Sequence, residues 1–199
     1  MPLEPLDLRR SVLIVWDMQA AIAGRASNRA AIVPRIAELL VAYRRARLPI
    51  VFSQHTMPPE GWENPAQARS MARRGIPGGM GRLAPGSPDW EILAELAPER
   101  NELVLPKTSP SFFVGTPLDS MLRYRGIDVL VMTGVSTDGG ILGTARHAVN
   151  LGFHPLIVED AVGSMTAEAH AEGLETLRRF CDVEPAAGVV ARLPTPPAE

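Results

Sequence analysis

Gly134-Val135-Ser136-Thr137-Asp138-Gly139-Gly140-Ile141 decides how this chain folds. The apolar run Val129–Thr133 leads into it and reads as a strand. Gly134 opens a sharp turn, and a helical pattern then runs from Gly140 to Leu151, closed by Gly152. Strand, turn and helix in that order form the unit of a parallel α/β sheet. A nucleophile is often presented at the exposed position of such a turn, but here that position holds Gly140, which has no side chain.

The same alternation extends in both directions. Strands are expected at Val12–Trp16, Pro49–Gln54, Glu102–Leu105, Val129–Thr133, Pro155–Val158 and near Val183. Several lack polar alternation, as strands covered on both faces do. Between them, Ile32, Ile36, Leu39, Leu40 and Tyr43 share a helical face, with Pro34 in a first turn. Ser87-Pro88-Asp89 and Thr116-Pro117-Leu118-Asp119 each read as a capped helix start, and Gly126 ends the second helix. Thr166 starts a last helix with Leu174, Leu177 and Phe180 inward. The expected fold is a three-layer α/β domain over residues 1–199, a doubly wound six-stranded parallel sheet with about ten loose N-terminal residues and a loose tail at 194–199.

One stretch breaks the alternation. From Thr56 to Pro85 the chain is rich in proline and glycine, with no clear strand. A loop of that length is a lid or a binding loop. Trp62 within it is expected either to close over a ligand or to pack the loop onto the body or a partner subunit. The glycine-rich run Gly75-Ile76-Pro77-Gly78-Gly79-Met80-Gly81 follows no strand and reads as flexible loop.

Composition bounds the function. With 20 Lys plus Arg against 22 Asp plus Glu, the net charge of −2 gives no electrostatic footprint for nucleic acid or an anionic membrane. The run Arg44-Arg45-Ala46-Arg47 reads as a solvated helix face. A single cysteine, Cys181, excludes an intrachain disulfide and a cysteine zinc cluster, and its place after Phe180 reads as a small buried hydrophobe. Met1-Pro2-Leu3-Glu4-Pro5 does not resemble a signal peptide, and no apolar run reaches membrane-spanning length. The expected location is the cytoplasm.

Ligands of doubly wound sheets bind beyond the carboxyl ends of the strands. Asp17 ends the first strand, Lys107 follows the third, and the 134–140 turn follows the fourth, so three segments deliver polar groups to one edge. A charge at the end of a buried strand needs a partner, so Asp17 and Lys107 are expected to pair; two unrelated surface charges are the bland alternative. The helix start at Gly139-Gly140, with the Ser136 and Thr137 hydroxyls, offers donors for a carboxylate or an oxyanion.

These pieces together resemble the isochorismatase-like, or cysteine-hydrolase, superfamily. The carriers are Val15-Trp16-Asp17-Met18-Gln19, Pro85-Gly86-Ser87, Lys107-Thr108-Ser109-Pro110-Ser111-Phe112, Gly134-Val135-Ser136-Thr137 with Thr144-Ala145-Arg146, and Val158-Glu159-Asp160-Ala161. The resemblance covers Val12 to about Val190. It implies a six-stranded parallel sheet and a site of aspartate, lysine and cysteine, mapping on Asp17, Lys107 and Gly140. It also implies a cis peptide bond between Val135 and Ser136. Substrate contacts are expected at Gln19, His55, Trp62, Phe112, Val135, Ser136, Thr137 and Gly139.

Glycine at the cysteine position closes the thioester route of the family's amidohydrolases. Members with glycine there include isochorismatases, which hydrolyse a vinyl ether without a covalent intermediate. The resemblance therefore implies a cofactor-free hydrolase of a small, polar, anionic metabolite in secondary metabolism, with vinyl-ether hydrolysis placed first. Amide or ring hydrolysis by Asp17-activated water, and a ligand-binding or scaffold protein without chemistry, are the alternatives. The metal-binding members carry an Asp-x-His pair and a further histidine, whereas Ser53-Gln54-His55 has no second histidine near it, so no metal is expected. The expected assembly is a homo-oligomer, dimer or tetramer.

Overall fold

The computed structural model describes residues 4–73 and 83–195. In chain order the elements are β1 (Ser11–Trp16), α1 (Ala20–Ala23), α2 (Arg29–Ala46), β2 (Ile50–His55), α3 (Pro65–Arg73), β3 (Leu103–Lys107), α4 (Leu118–Tyr124), β4 (Val129–Val135), α5 (Leu142–Asn150), β5 (His154–Gly163), α6 (Ala167–Arg178), β6 (Asp182–Glu184) and α7 (Ala186–Arg192). The strands form one six-stranded sheet in the order β3-β2-β1-β4-β5-β6, and every pairing is parallel. All six expected strands are present, as expected of this α/β fold.

Every residue of β1 is buried, because its two faces feed two different cores. Leu13 and Val15 pack with Phe52, Val131 and the inner face of α2, which carries Ile32, Ile36, Leu39, Leu40 and Tyr43. Val12, Ile14 and Trp16 pack on the other side with Leu130, Met132, Phe112, Ala145 and Leu177. Helices on both faces explain why the strands read as unbroken apolar runs.

The chain winds outward from β1 to β2 and β3, then returns to place β4 on the other side of β1. That reversal opens a crevice at the carboxyl ends of β1 and β4, where ligands of such sheets bind. Register fixes what stands there: Trp16 lies opposite Gly134, and His55 opposite Lys107. Gly134 is required by that proximity. At φ +106 it sits where a Cβ would come within 2.8 Å of the Trp16 nitrogen and 2.9 Å of its carbonyl carbon.

Several local expectations are corrected. The helix expected after Ser87-Pro88-Asp89 is absent; the segment turns and then forms one 3-10 turn, Ala94–Leu96. Its backbone is pulled alongside 18–21, with Ala20 N–H donating to Glu91 O at 3.0 Å and Leu93 N–H to Met18 O at 2.9 Å. Tertiary pairing overrides the local cap there. Conversely, α3 lies inside the stretch read as loop, and Asn64 caps it by accepting from Ala66 N–H at 3.0 Å. α7 was not expected, yet it buries Ala186 and Val189. α2 begins upstream of its expected start, so Pro34 lies inside it rather than in its first turn.

The N-terminus is anchored earlier than expected. Asp7 caps the turn Leu8–Arg10, Leu8 is buried, and Arg10 pairs with Asp128 at 2.8 Å. Gly75–Gly81 and most of the 194–199 tail fall outside the described residues. Among the described residues, no helix is long and apolar enough to cross a membrane.

Candidate functional site

Asp17 leaves the end of β1 at φ +45, a left-handed conformation that aspartate tolerates better than most side chains. Ser53 of β2 holds it there twice. Asp17 N–H donates to Ser53 Oγ at 3.0 Å, and Ser53 Oγ–H donates to Asp17 Oδ1 at 2.5 Å. The other carboxylate oxygen, Oδ2, accepts from Lys107 Nζ at 2.7 Å. The expected pair therefore exists, with Asp17 5% and Lys107 3% exposed.

Lys107 reaches three further partners. Its ammonium lies 3.3 Å from His55 Nδ1, donates to Ser109 O at 3.3 Å, and sits 4.3 Å above the Trp16 ring centroid. Burial pushes the Lys107 pKa down from its ordinary value, and the Asp17 carboxylate opposes that fall. His55 drops to about 4, first through burial and then through the neighbouring Lys107 charge. It is thus neutral near pH 7. A lysine ammonium can only donate, so Nδ1 is the acceptor and the ring proton sits on Nε2.

Gln19 is fully engaged as a strut. Its side-chain nitrogen donates to His55 O at 3.0 Å and Trp90 O at 2.8 Å, and its oxygen accepts from His55 N–H at 2.7 Å. Both amide protons are taken, so Gln19 positions His55. Thr137 is similar: its hydroxyl bonds Gly163 O at 3.0 Å and His170 Nδ1 at 2.9 Å. That ties the turn to β5 and α6. Val135 is buried, Ser136 and Gly139 are half-buried, and the Val135–Ser136 peptide is cis.

Gly140 follows in a π-helical turn, Thr137–Ile141, that leads into α5. Its backbone is not in the left-handed region; glycine is required for space instead. A Cβ at residue 140 would collide with the Trp16 indole, at Nε1 and also at 2.5 Å from Cζ2 and 2.6 Å from Cε2. Phe112 is a core residue, edge-on to Trp16 with ring centroids 5.4 Å apart.

Next to the ion pair opens a cavity of about 570 Å³, walled by His55, Met57, Trp62, Met71, Thr108 and Val114 among others. Trp62 stands at its wall with 81% exposure, neither closed over the site nor packed on the body. Among the described lining residues there is no lysine or arginine. A second hollow of about 510 Å³ lies at the opposite, amino edge of the sheet and holds none of these residues.

Two participants escaped the sequence reading. Ser53 is a polar residue inside the buried strand Ile50–His55, a signal that was legible. Trp16 reads in sequence as one more apolar strand residue, and only its contacts with Gly140 and Lys107 mark it out.

Comparison with known proteins then places the chain. Residues 11–187 match the model of the isochorismatase domain. The chain belongs to the isochorismatase family. Similar curated proteins include the ureidoacrylate amidohydrolase RutB of Methylorubrum extorquens, 33% identical over 85% of this chain and 77% of that protein. The RutB of Variovorax paradoxus is 34% identical over 87% and 79%. Among solved structures, a cysteine hydrolase from Pseudomonas syringae pv. phaseolicola superposes with a TM-score of 0.85 at 26% identity, covering 96% of this chain and 95% of that one. A putative isochorismatase-family hydrolase from Chromobacterium violaceum gives 0.78 at 27% identity, covering 97% and 98%.

Proposed function

We propose that this isochorismatase-family hydrolase acts without a cofactor and without an enzyme nucleophile, by directing water at a small polar substrate. One observation carries the reading. Gly140, at the position the resemblance assigns to the family's cysteine, is backed by the Trp16 indole. That corner offers neither a thiol nor room for one, while the Asp17–Lys107 pair beside it is intact.

Two considerations favour a carbon–nitrogen bond over the vinyl ether placed first from sequence. The curated relatives are named as amidohydrolases of a ureido compound. Asp17 accepts hydrogen bonds on both oxygens, which suits taking a proton from water rather than delivering one to carbon. In the proposed step the water oxygen bonds to the carbonyl carbon and Asp17 takes the water proton. The carbon–nitrogen bond then breaks, and that proton passes to the leaving nitrogen. Lys107 holds Asp17 in place and offsets the charge that develops. An anionic group on the substrate would be met by backbone N–H groups of the 136–140 turn, since the described cavity wall brings no cation.

The test is a turnover panel of ureido acids, linear amides, cyclic amides and vinyl ethers, run with the parent and Asp17→Asn. Ammonia or amine release from at least one member, reduced at least ~100-fold in Asp17→Asn, is the expected outcome. Turnover of vinyl ethers alone would restore the vinyl-ether reading. No turnover across the panel would leave a ligand-binding protein.

A further inference from the structure

The cavity beside the ion pair is joined to it through two residues. Lys107 Nζ lies 3.3 Å from His55 Nδ1 and donates to Ser109 O at 3.3 Å, and both His55 and Ser109 line the cavity. A substrate held at Asp17 thus has about 570 Å³ of space next to its reacting bond. Cavities of roughly 300–1,000 Å³ take drug-sized ligands, so this one holds more than a carbon–nitrogen group alone. Away from the ion pair its wall turns apolar, with Met57, Pro58, Trp62, Ala68, Met71 and Val114. Two of these are large apolar side chains left open to solvent, Trp62 at 81% and Val114 at 50% exposure. Single exposed apolar residues need no explanation, but several around one concave space mark a binding surface. The Trp62 backbone is fixed locally. Its N–H donates to Pro59 O at 3.0 Å, and the preceding Gly61, at φ +83, donates its N–H to Glu63 Oε2 at 2.8 Å. Charge adds a further constraint. Glu63 is the one charged side chain among the described lining residues, since His55 is neutral. An anion entering here would meet a carboxylate and no described cation.

We propose that this cavity selects substrates whose carbon–nitrogen group carries an uncharged aryl arm, and that Trp62 and Val114 determine that choice. The proposal rests on the noncovalent hydrolase reading above and names its substrate class: neutral aryl-bearing amides, ureas or cyclic amides. The arm removes the Trp62 and Val114 surfaces from water, and its ring meets the indole in an offset or edge-on contact. The thioethers of Met57 and Met71 adapt to the ring edge. A carboxylate arm loses hydration here and finds no described counter-charge, which disfavours it. A cationic arm gains Glu63 but gives up its water against the same apolar wall. Selectivity is the difference between these outcomes, so the wall acts both by rewarding the aryl arm and by penalising the acid. The anionic metabolite expected from sequence is met by nothing in this wall. The chain therefore parts from its curated relatives, named for ureidoacrylate, in the arm it accepts rather than in the bond it cleaves.

The experiment measures kcat/KM of the parent, Trp62→Ala and Val114→Arg on three arms attached to whichever carbon–nitrogen group the panel shows to be cleaved. For linear amides the probes are 4-phenylbutanamide, adipic acid monoamide and 6-aminohexanamide. For ureas they are phenethylurea, 3-ureidopropionate and 2-aminoethylurea, and for cyclic amides 5-benzylhydantoin, hydantoin-5-acetate and 5-(2-aminoethyl)hydantoin. The parent should favour the aryl arm over both charged arms by at least ~10-fold. Trp62→Ala should lower that preference by about 10-fold, chiefly through KM. Val114→Arg places a cation in the wall and should lower the aryl-to-acid ratio by a similar factor. Both positions are open to solvent, and far-UV spectra check that the variants fold. Asp17-dependent turnover that favours the acid or the amine arm overturns this proposal and leaves the hydrolase reading standing. So does an aryl preference that neither folded variant changes, because the selection then lies outside this cavity. No cleavage of any carbon–nitrogen bond by the parent overturns the carbon–nitrogen hydrolase reading and this proposal with it.

Discussion

The indole of Trp16 occupies the space that a side chain on residue 140 would need: a Cβ there would lie 2.5 Å from Cζ2 and 2.6 Å from Cε2. Neither residue can be understood alone. Trp16 is flanked by Phe112 at 5.4 Å and by the Lys107 ammonium at 4.3 Å, so it cannot simply swing away. Overpacking of this kind typically costs about 1–3 kcal/mol. Gly140→Cys should therefore lower stability by that order and gain no ammonia-releasing activity. Trp16→Ala combined with Gly140→Cys should recover part of the loss, because the small residue vacates the place the thiol takes. Calorimetry on the two single variants and the double variant reads the coupling directly. Strict additivity of the three values would show that the two sites do not contend for one space.

His55 makes stability depend on pH in a predictable direction. Its folded pKa is depressed to about 4 from an ordinary 6.5, chiefly by burial and next by Lys107. Below 6.5 the unfolded chain binds a proton that the folded protein refuses. The stabilisation linked to His55 is thus complete above pH 6.5 and is lost as pH falls toward 4. The total is on the order of 3 kcal/mol. Urea unfolding of the parent and of His55→Gln from pH 7.5 to 4.5 should show a steeper decline in the parent. Parallel curves would mean that His55 is not the group responsible.

The parallel α/β layering of this fold was legible because β1 to β5 each carry an apolar run. A buried parallel sheet leaves that trace in any sequence. Asp17 and Lys107 were legible for a related reason: a charge at the end of an apolar run must be paired or exposed. What the sequence did not reveal was determined by contacts distant along the chain. The Ser87 cap signal failed because the 91–93 backbone bonds to 18–20 instead. Gly140 looked like room left for a ligand or for an unusual backbone angle, and the ring that fills its space comes from a strand more than a hundred residues upstream. Gln19 and Thr137 looked like substrate contacts by position, but their polar atoms are engaged within the protein.

Cys181 offers a direct check on the nucleophile. It is partly buried just before β6, and burial raises its pKa to about 12. A thiol of that kind is almost wholly protonated at neutral pH and reacts slowly. Iodoacetamide at pH 7.5 should leave both Cys181 and turnover largely intact over an hour. Rapid inactivation from which substrate protects would place a thiol in the reaction and remove the water-nucleophile reading.

The Asp17–Lys107 pair yields the most demanding prediction. Both side chains are almost fully buried, with charged atoms 2.7 Å apart. Removing one partner of such a pair leaves the other charge in a low-dielectric site and typically costs about 3–5 kcal/mol. The two halves should not respond equally. Asp17→Asn strands an ammonium whose pKa burial already lowers, leaving His55 Nδ1 and Ser109 O as its nearby acceptors. Lys107→Met leaves Asp17 still held by Ser53 through two hydrogen bonds. Asp17→Asn should therefore be the more pH-sensitive variant, regaining stability as alkaline pH discharges Lys107. Lys107→Met should show no such recovery. The double variant should be no less stable than either single one, since it buries no unpaired charge. Urea unfolding of all four proteins at pH 7 and pH 9.5 measures each term. Equal and additive losses with no pH dependence would mean that the two groups do not share a buried ion pair.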